Sequence, residues 1–429
     1  MEIFQDGELE EELRKSDLQA GSLSAIWTLF SSSYEEAVNS LTCPVRASYT
    51  LADLGHVDFS LDPAQDVHRE DFQLYNCRGQ ALECSFWRKQ GQPVDTSRTS
   101  APPCIVYLHG MSSSRRECVY LRHKVLSAGF SLFAFDLSGS GLSEGEFISF
   151  GYYEKDDLRT VLDYLFATGK ASAVGLWGRC IGGATILQHQ QIALTYKYKT
   201  LRVPKFEAHR LQIEESKATG ELLCVRPPRV FPFRVTSLSA NNGDFVILSI
   251  NRHLVKNLDV AACKRLLTTN CQDGVIEIAG YEQSNGVSNG VTCDFVFGLT
   301  VDSTYGDMQQ VIADMLTEVG KSAEKRNISF TSAMMGAASR LISHSVKKTA
   351  GYQFKDIAVL DDVPLFRLPC LFVSARRKDF ISPAHTRAIY DHYGGEKTWL
   401  DFGGVHDENR PNEIVDAICS HFCSRWKRV

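Results

Sequence analysis

The sequence predicts an α/β fold in which helices cover both faces of a mostly parallel β-sheet. Two observations support this prediction. Short apolar segments alternate with helical segments of about 10–15 residues, a pattern typical of parallel strands joined by crossover helices. In addition, 44% of the 429 residues are hydrophobic, which is enough apolar material for a full core.

Residues 1–45 are predicted to form an N-terminal helical segment. The stretch SAIWTLFSSSYEEAVNSL within it repeats apolar residues at helical spacing. A lid, a membrane-touching helix and a helix packed on the core would all show this pattern, and core packing is the favoured interpretation.

Residues 46–194 and 294–429 are predicted to form the core. Its apolar strand segments include CIVYLHG, GFSLFAFDLSGSGLS and SAVGLWG in the first part, and LPCLFVSA and KTWLDF in the second. Most of these segments are followed by a helical pattern. In such sheets ligands bind beyond the carboxyl ends of the strands, so the active site is expected at that edge.

Residues 195–293 interrupt the alternation. The strand-like pieces FRVTSL, DFVILSI and GVIEIAG are separated by loop signals such as RPPRVFP and ANNGD. We therefore predict an insertion of about 100 residues that is partly β or disordered.

Composition excludes several functional classes. The net charge of −5 lacks the basic excess of a nucleic-acid-binding protein. The acidic start is unlike a secretory signal, and no apolar run is long enough to span a membrane. Thirteen cysteines in a long chain without an export signal indicate free thiols and a cytoplasmic location. No metal or organic cofactor is implied, and the oligomeric state is not indicated.

The sharpest signal is GLWGRCIGGAT, which lies between an apolar strand and a helix. A nucleophile elbow needs this pattern, because its strained turn presents one side chain at a helix amino terminus. Gly178 and Gly182 would let the two backbones approach closely around Cys180. The alternative is that Cys180 is an ordinary small buried residue.

Two later loops supply partners for such a nucleophile. Asp379 follows the strand LPCLFVSA, and His406 follows the strand KTWLDF. The order nucleophile, acid, histidine is the order of the α/β-hydrolase triad. Asp302, after the strand FGLTVDS, is an alternative acid, although it could instead cap the next helix.

The predicted roles follow from this order. His406 would take the thiol proton of Cys180 and later return a proton to the leaving group. Asp379 would hold the imidazole tautomer. The backbone N–H groups of Met111 and Ile181 would form an oxyanion hole.

These motifs resemble the α/β-hydrolase superfamily over residues 69–194 and 294–429. YLHGMSSSRREC, FDLSGSGLSEGE, GRCIGGAT, KDFISP and GGVHDENRP are similar to serine-aminopeptidase-like hydrolases. Those relatives usually have serine where this chain has Cys180. A cysteine at the elbow resembles dienelactone hydrolases and the bile-acid acyl-CoA amino-acid transferases.

The resemblance implies an enzyme acting on ester, thioester or amide bonds of a small-molecule acyl substrate. The leading hypothesis is an acyl hydrolase, an esterase or thioesterase with a covalent acyl-Cys180 intermediate. An acyltransferase with the same residues is one alternative. A catalytically inactive hydrolase fold used for binding or scaffolding is the other.

Overall fold

A computed structural model gives the fold of the chain. It describes residues 34–62, 65–91, 101–193, 196–205, 213–215, 222–224, 245–255, 258–267, 275–283, 295–324, 332–377 and 381–427.

Strands within these ranges form two sheets. In chain order the strands are β1 (Asp58–Asp62), β2 (Gln65–Tyr75), β3 (Ala81–Lys89), β4 (Cys104–Leu108), β5 (Ser131–Phe135), β6 (Val174–Arg179), β7 (Tyr196–Pro204), β8 (Ile213–Glu215), β9 (Leu222–Cys224), β10 (Phe245–Ile250), β11 (His253–Leu254), β12 (Val275–Gln283), β13 (Val296–Asp302), β14 (Cys370–Ala375) and β15 (Lys397–Phe402).

Helices connect most of the strands. They are α1 (Tyr34–Thr42), α2 (Arg122–Ser127), α3 (Glu154–Thr168), α4 (Ile181–Ala193), α5 (Val260–Leu266), α6 (Met308–Glu324), α7 (Ser332–Ala350), α8 (Pro383–His392) and α9 (Asn412–Trp426). Short 3₁₀ turns lie at Leu51–Leu54, Arg115–Tyr120, Phe354–Asp356 and Val363–Leu365.

The main sheet has the strand order β1-β2-β3-β5-β4-β6-β13-β14-β15. From β5 to β15 neighbouring strands are parallel, whereas β1, β2 and β3 pair antiparallel at one edge. The exchange of β4 and β5 in this order, with a tight turn that leads from β6 directly into α4, is typical of the α/β-hydrolase fold. The predicted fold class is confirmed.

Helices cover both faces of this sheet, as the residues of β4 show. Val106 and Leu108 belong to one apolar cluster, whereas Ile105 and Tyr107 belong to the other. The first cluster includes buried residues of α3, α4 and α6, and the second those of α2 and α9. Because both faces are covered, the central strands are buried along their whole length and have nearly continuous apolar sequences.

The second sheet lies in the segment predicted as an insertion. It is antiparallel, with the order β7-β12-β10-β9-β8 and with β11 paired to β10. The predicted strand FRVTSL lies outside the described residues.

The second sheet packs on the carboxyl-terminal half of α3. The Phe166 ring lies 4.5 Å from the Tyr198 ring. The Ser249 hydroxyl donates to the Ala167 carbonyl at 2.7 Å. A crossover helix runs antiparallel to its strands, so this half of α3 points away from the carboxyl edge of the main sheet. The described part of the insertion therefore packs at the opposite end from the expected site.

The N-terminal helical segment is described only from residue 34. Helix α1 buries Val38 and Leu41, and Leu41 belongs to the first core cluster, so this helix packs on the core. The apolar residues of SAIWTLF lie outside the described ranges. Within those ranges, no helix combines the length and apolar character needed to cross a membrane.

We expect Phe166→Ala to lower the free energy of unfolding by about 3–5 kcal/mol, because it removes a buried ring that joins α3 to the second sheet. Urea denaturation measures this change. Tyr75→Ala is the control: the Tyr75 side chain is 54% exposed, and its loss should change stability by about 0.5 kcal/mol or less. Equal losses in the two variants would contradict the docking of the second sheet on α3.

Candidate active site

Cys180 lies in a tight turn between β6 and α4. Its φ angle is +52°, a left-handed conformation that costs energy for a residue with a side chain. Three hydrogen bonds hold the turn: Cys180 N donates to Asp302 O at 2.9 Å, and Cys180 O accepts from Ala184 N at 3.0 Å and from Thr304 Oγ1 at 2.8 Å. The surrounding backbone thus fixes the strained conformation.

The glycines of the motif are required by close backbone contacts. A Cβ atom on Gly178 would lie 2.4 Å from the Gly182 carbonyl, and one on Gly182 would lie 2.3 Å from Leu108 O. Real Cβ atoms essentially never approach other atoms this closely. The two glycines therefore let β6, α4 and β4 meet around Cys180, as the motif predicts.

His406 lies in the loop after β15, beside the side chain of Cys180. Both residues are buried, with 4% and 2% exposure. Burial by itself lowers the pKa of the His406 imidazole, but the neighbouring Cys180 and the Asp302 carboxylate favour the charged ring, and the net result is a raised pKa. Arg179 opposes this effect.

The other ring nitrogen of His406, Nδ1, is buried, and no described residue accepts a hydrogen bond from it. Asp379 lies outside the described residues. The chain before it, however, is tied to the loop before His406: Arg376 N donates to Phe402 O at 2.9 Å, and Arg377 N donates to Gly404 O at 3.4 Å.

Asp302, the alternative acid, is engaged by another residue. Arg410 donates two hydrogen bonds to its carboxylate, from Nε to Oδ2 at 2.6 Å and from Nη2 to Oδ1 at 3.0 Å. The Ser303 hydroxyl donates to Oδ1 at 2.9 Å. Asp302 does not cap the next helix, since Asp307 accepts from the first amides of α6. Its carboxylate acts on the site through Arg410.

Two arginines hold the backbone of His406. Arg179 Nη2 donates to His406 O at 2.7 Å, and Arg410 Nη1 donates to the same oxygen at 3.0 Å. Arg179 precedes Cys180, and Arg410 is bound to Asp302 at the end of β13. The position of His406 is therefore fixed to the ends of β6 and β13.

Arg179 also connects the site to the loop after β4. Its Nη1 pairs with Glu117 Oε1 at 3.1 Å, and Glu117 Oε2 accepts from Gly110 N at 3.2 Å. Burial alone raises the pKa of the Glu117 carboxyl, but Arg179 and the hydroxyl groups of Ser113 and Tyr107 lower it below its ordinary value. Glu117 is thus held as an anion under the loop.

The predicted oxyanion donors are Met111 N, in the loop after β4, and Ile181 N, at the start of α4. Ile181 is the first residue of α4, and Met111 follows Gly110, where a Cβ atom would lie 3.8 Å from that of Cys180. No described residue accepts a hydrogen bond from the N–H of Met111 or of Ile181. Both groups are available to bind a negatively charged oxygen.

Sequence reasoning missed the roles of Glu117, Arg179 and Arg410. A usable signal was present for Arg179, which ends the fully buried strand VGLWGR. A charge in such a position requires a buried partner. The other two stand in quoted motifs, but their partners are far away in the chain, so spacing does not indicate them.

Comparisons with known proteins give few matches in sequence and many in structure. No protein-family model matches this chain. A curated relative, the uncharacterized protein YqkD of Bacillus subtilis, is 31% identical over 96 residues, which are 22% of this chain and 30% of that protein. The matched region thus spans less than a third of that relative.

Several solved structures are similar to this chain. The esterase Pf2001 of Pyrococcus furiosus is 13% identical, with a TM-score of 0.44 over 90% of this chain and 97% of the esterase. The alpha/beta hydrolase domain-containing protein 10 from mouse is 11% identical, with a TM-score of 0.42 over 84% and 99% of the two chains. Est1E from Butyrivibrio proteoclasticus, with bound ferulic acid, is 13% identical, with a TM-score of 0.42 over 83% and 99%.

We expect Gly182→Ala to abolish folding or to lower stability strongly, because the added methyl group would overlap Leu108 O. Gly336→Ala is the matched control in helix α7, where an added Cβ meets no atom within 4 Å. That change should stabilise the protein by about 0.5–1 kcal/mol. Thermal unfolding of both variants measures the effects, and a tolerated Gly182→Ala would contradict the packing around the elbow.

We expect Arg410→Gln to lower stability by about 3–5 kcal/mol, because it leaves the buried Asp302 carboxylate without its partner. Arg376→Gln is the control: it breaks an Arg–Asp pair with Asp401 whose two side chains are 65% and 40% exposed, so stability should change little. Urea denaturation separates the two cases. Similar small effects would mean that Asp302 does not depend on Arg410.

Proposed function

We propose that the protein is an acyl hydrolase that cleaves ester or thioester bonds through a covalent acyl-Cys180 intermediate. The observation behind this proposal is the contact between Cys180, at a left-handed strand-to-helix turn, and the buried imidazole of His406. A nucleophile within hydrogen-bond reach of a base is the arrangement needed for nucleophilic catalysis.

The reaction begins with the sulfur of Cys180. His406 Nε2 takes the thiol proton, and the sulfur attacks the acyl carbonyl carbon. The carbonyl oxygen becomes an oxyanion that accepts hydrogen bonds from Met111 N and Ile181 N. When the tetrahedral intermediate collapses, His406 gives the proton to the departing alkoxide or thiolate, and the acyl group stays on Cys180.

Water completes the reaction. His406 removes a proton from a water molecule, whose oxygen attacks the thioester carbon of acyl-Cys180. The second tetrahedral intermediate expels the Cys180 sulfur, which recovers its proton from His406. The products are a carboxylic acid and the original thiol–imidazole pair.

Asp379 is the proposed acid that orients His406. Two observations support this assignment. His406 Nδ1 is buried without a described partner, and a buried ring N–H without an acceptor is costly. The segment before Asp379 is hydrogen-bonded to the segment before His406. Asp302 is assigned a positioning role instead, because both of its oxygens bind Arg410.

Aromatic residues beside the elbow indicate an apolar acyl group. Tyr305 O–H donates to Phe150 O at 3.1 Å, and their rings pack edge to face. Burial raises the pKa of Tyr305, and the nearby Cys180 adds to this effect, so the Tyr305 hydroxyl stays neutral. The neutral aromatic side chains of Tyr305 and Phe150 favour an aliphatic or aromatic acyl chain over a charged one.

Acyl transfer to an amine or alcohol is the second candidate. Cys180 is only 2% exposed, and an acyl group on a sulfur enclosed in this way is shielded from bulk water. The same three residues would serve this reaction, with the acceptor replacing water. Product analysis with added amines separates transfer from hydrolysis.

We expect Cys180→Ala to abolish turnover of p-nitrophenyl esters and of acyl-cysteamine thioesters. His406→Gln should lower turnover about 10²–10⁴-fold, the usual contribution of a general base. Cys180→Ser should keep part of the esterase activity, since the elbow presents either nucleophile. Wild-type levels in Cys180→Ala would refute the assignment.

We expect iodoacetamide to label Cys180 ahead of the buried thiols Cys84, Cys104 and Cys370, whose pKa values burial raises. Peptide mass spectrometry after brief labelling measures the order. His406→Gln should slow labelling at Cys180 only. If no ester is turned over and Cys180 shows no preference, the protein is a binding or scaffold protein instead.

We expect the stability contributed by His406 to decrease as the pH rises. Its pKa is raised in the folded protein, so folding favours the protonated ring. The stabilisation is complete below the unfolded pKa of about 6.5 and is lost as the pH rises through the folded value. Urea unfolding of wild type and His406→Gln from pH 5.5 to 9 measures this difference. A difference that grows with pH would contradict the raised pKa.

A further inference from the structure

A groove with basic walls lies between helix α7 and the segment that follows it. Its volume is about 710 Å³. The residues that line it are Gln309, Ser339, Arg340, Ser343, His344, Lys347, Lys348, Gln353, Phe354 and Lys355. None of these ten is acidic, although the chain as a whole has a net charge of −5. The volume is in the range of small-molecule sites, which is about 300–1,000 Å³.

Helix geometry arranges the polar groups of one wall in two rows. Residues four apart lie on the same side of a helix, so Ser339, Ser343 and Lys347 follow one another along α7. Arg340 and His344 form the neighbouring row, which Lys348 continues. Hydroxyl, guanidinium and ammonium donors thus lie side by side along this wall.

The other wall contributes a further cation and an apolar floor. Lys355 stands opposite α7 on the turn Phe354–Asp356, and the Phe354 side chain is buried beneath it. Gln309, at the first turn of α6, completes the lining. The first amides of α6 bind Asp307, so the positive character of the groove comes from side chains.

Three of the groove's cations, Arg340, Lys347 and Lys355, form no ion pair with any described residue. The acidic residues beside two lining positions have other roles: Asp307, two residues before Gln309, caps α6, and Asp356, next to Lys355, accepts from Gln353 N at 3.0 Å. Mutual repulsion of unpaired cations is unfavourable, and an anion bound among them would relieve it.

Helix capping explains only part of this pattern. Lys347 and Lys348 lie in the last turn of α7, where basic residues interact favourably with the helix dipole. That effect does not extend to Arg340, which is two turns earlier, or to Lys355, which is on a different element. The concentration of cations around one cavity therefore indicates a ligand.

We propose that this groove binds a small molecule carrying two or more linked phosphate groups. Phosphate oxygens accept charge-assisted hydrogen bonds from guanidinium and ammonium groups, and serine hydroxyls add neutral donors. Several phosphates are required to match cations spread over both walls. This site is separate from Cys180 and does not depend on the proposed hydrolase activity.

Inorganic tripolyphosphate is the probe for the test, with isothermal titration calorimetry of the full chain at low and moderate salt. The combined variant Arg340→Gln, Lys347→Gln and Lys355→Gln should bind at least tenfold more weakly than wild type. The matched control removes three exposed cations elsewhere, with Lys205→Gln, Lys264→Gln and Lys427→Gln, and should keep wild-type affinity. Equal losses in the two variants, or no binding by wild type, would overturn the proposal.

Two additional measurements check that the variant folds and identify the source of the phosphate groups. Circular dichroism tests whether the combined variant folds. If it does not fold, Lys355→Gln alone is measured and should weaken binding about threefold or more. Unchanged affinity of that single variant would count against the groove. Co-sedimentation with phosphatidylcholine vesicles containing phosphatidylinositol bisphosphate identifies the source of the phosphates. Vesicle binding that depends on the groove cations assigns a lipid headgroup, whereas tripolyphosphate binding without vesicle binding assigns a soluble ligand.

Discussion

The carbonyl oxygen of His406 is the point at which the site is held together. Arg179 and Arg410 both donate to it, and each arginine is fixed in turn by a buried carboxylate, Glu117 or Asp302. Charges buried in this way are tolerated only because every one has a partner at hydrogen-bond distance. The two arginines therefore fix the backbone of His406 and, through it, the position of the imidazole.

This arrangement couples segments that are distant in the chain. Glu117 binds the amide of Gly110 after β4, Arg179 ends β6, and Asp302 ends β13. Loops after three parallel strands thus share one network at the carboxyl edge of the sheet, where ligands bind in such folds. A displacement of any one loop would change the position of His406 relative to Cys180, so the network couples fold stability to the geometry of this pair.

The sequence was sufficient to predict the fold. Alternating apolar strands and helices predicted the sheet, because burial on both faces leaves a continuous apolar signature. The Gly178 and Gly182 pattern indicated a close approach of two backbones, and both glycines make contacts that leave no room for a Cβ atom. The arginine contacts were not predictable, since a long side chain can reach many partners and one sequence does not indicate which. The roles of Cys180, Asp379 and His406 stay predictions.

The second sheet rests on the half of α3 that points away from Cys180. Its contacts with the core include the ring and hydroxyl of Tyr198, the hydroxyl of Ser249 and the buried side chains of Val246 and Tyr281. A reporter domain or an affinity handle fused within this part of the chain would sit on the far side of the molecule from the thiol. The protein thus offers a place for immobilisation on a surface that leaves the end of the sheet near Cys180 unobstructed.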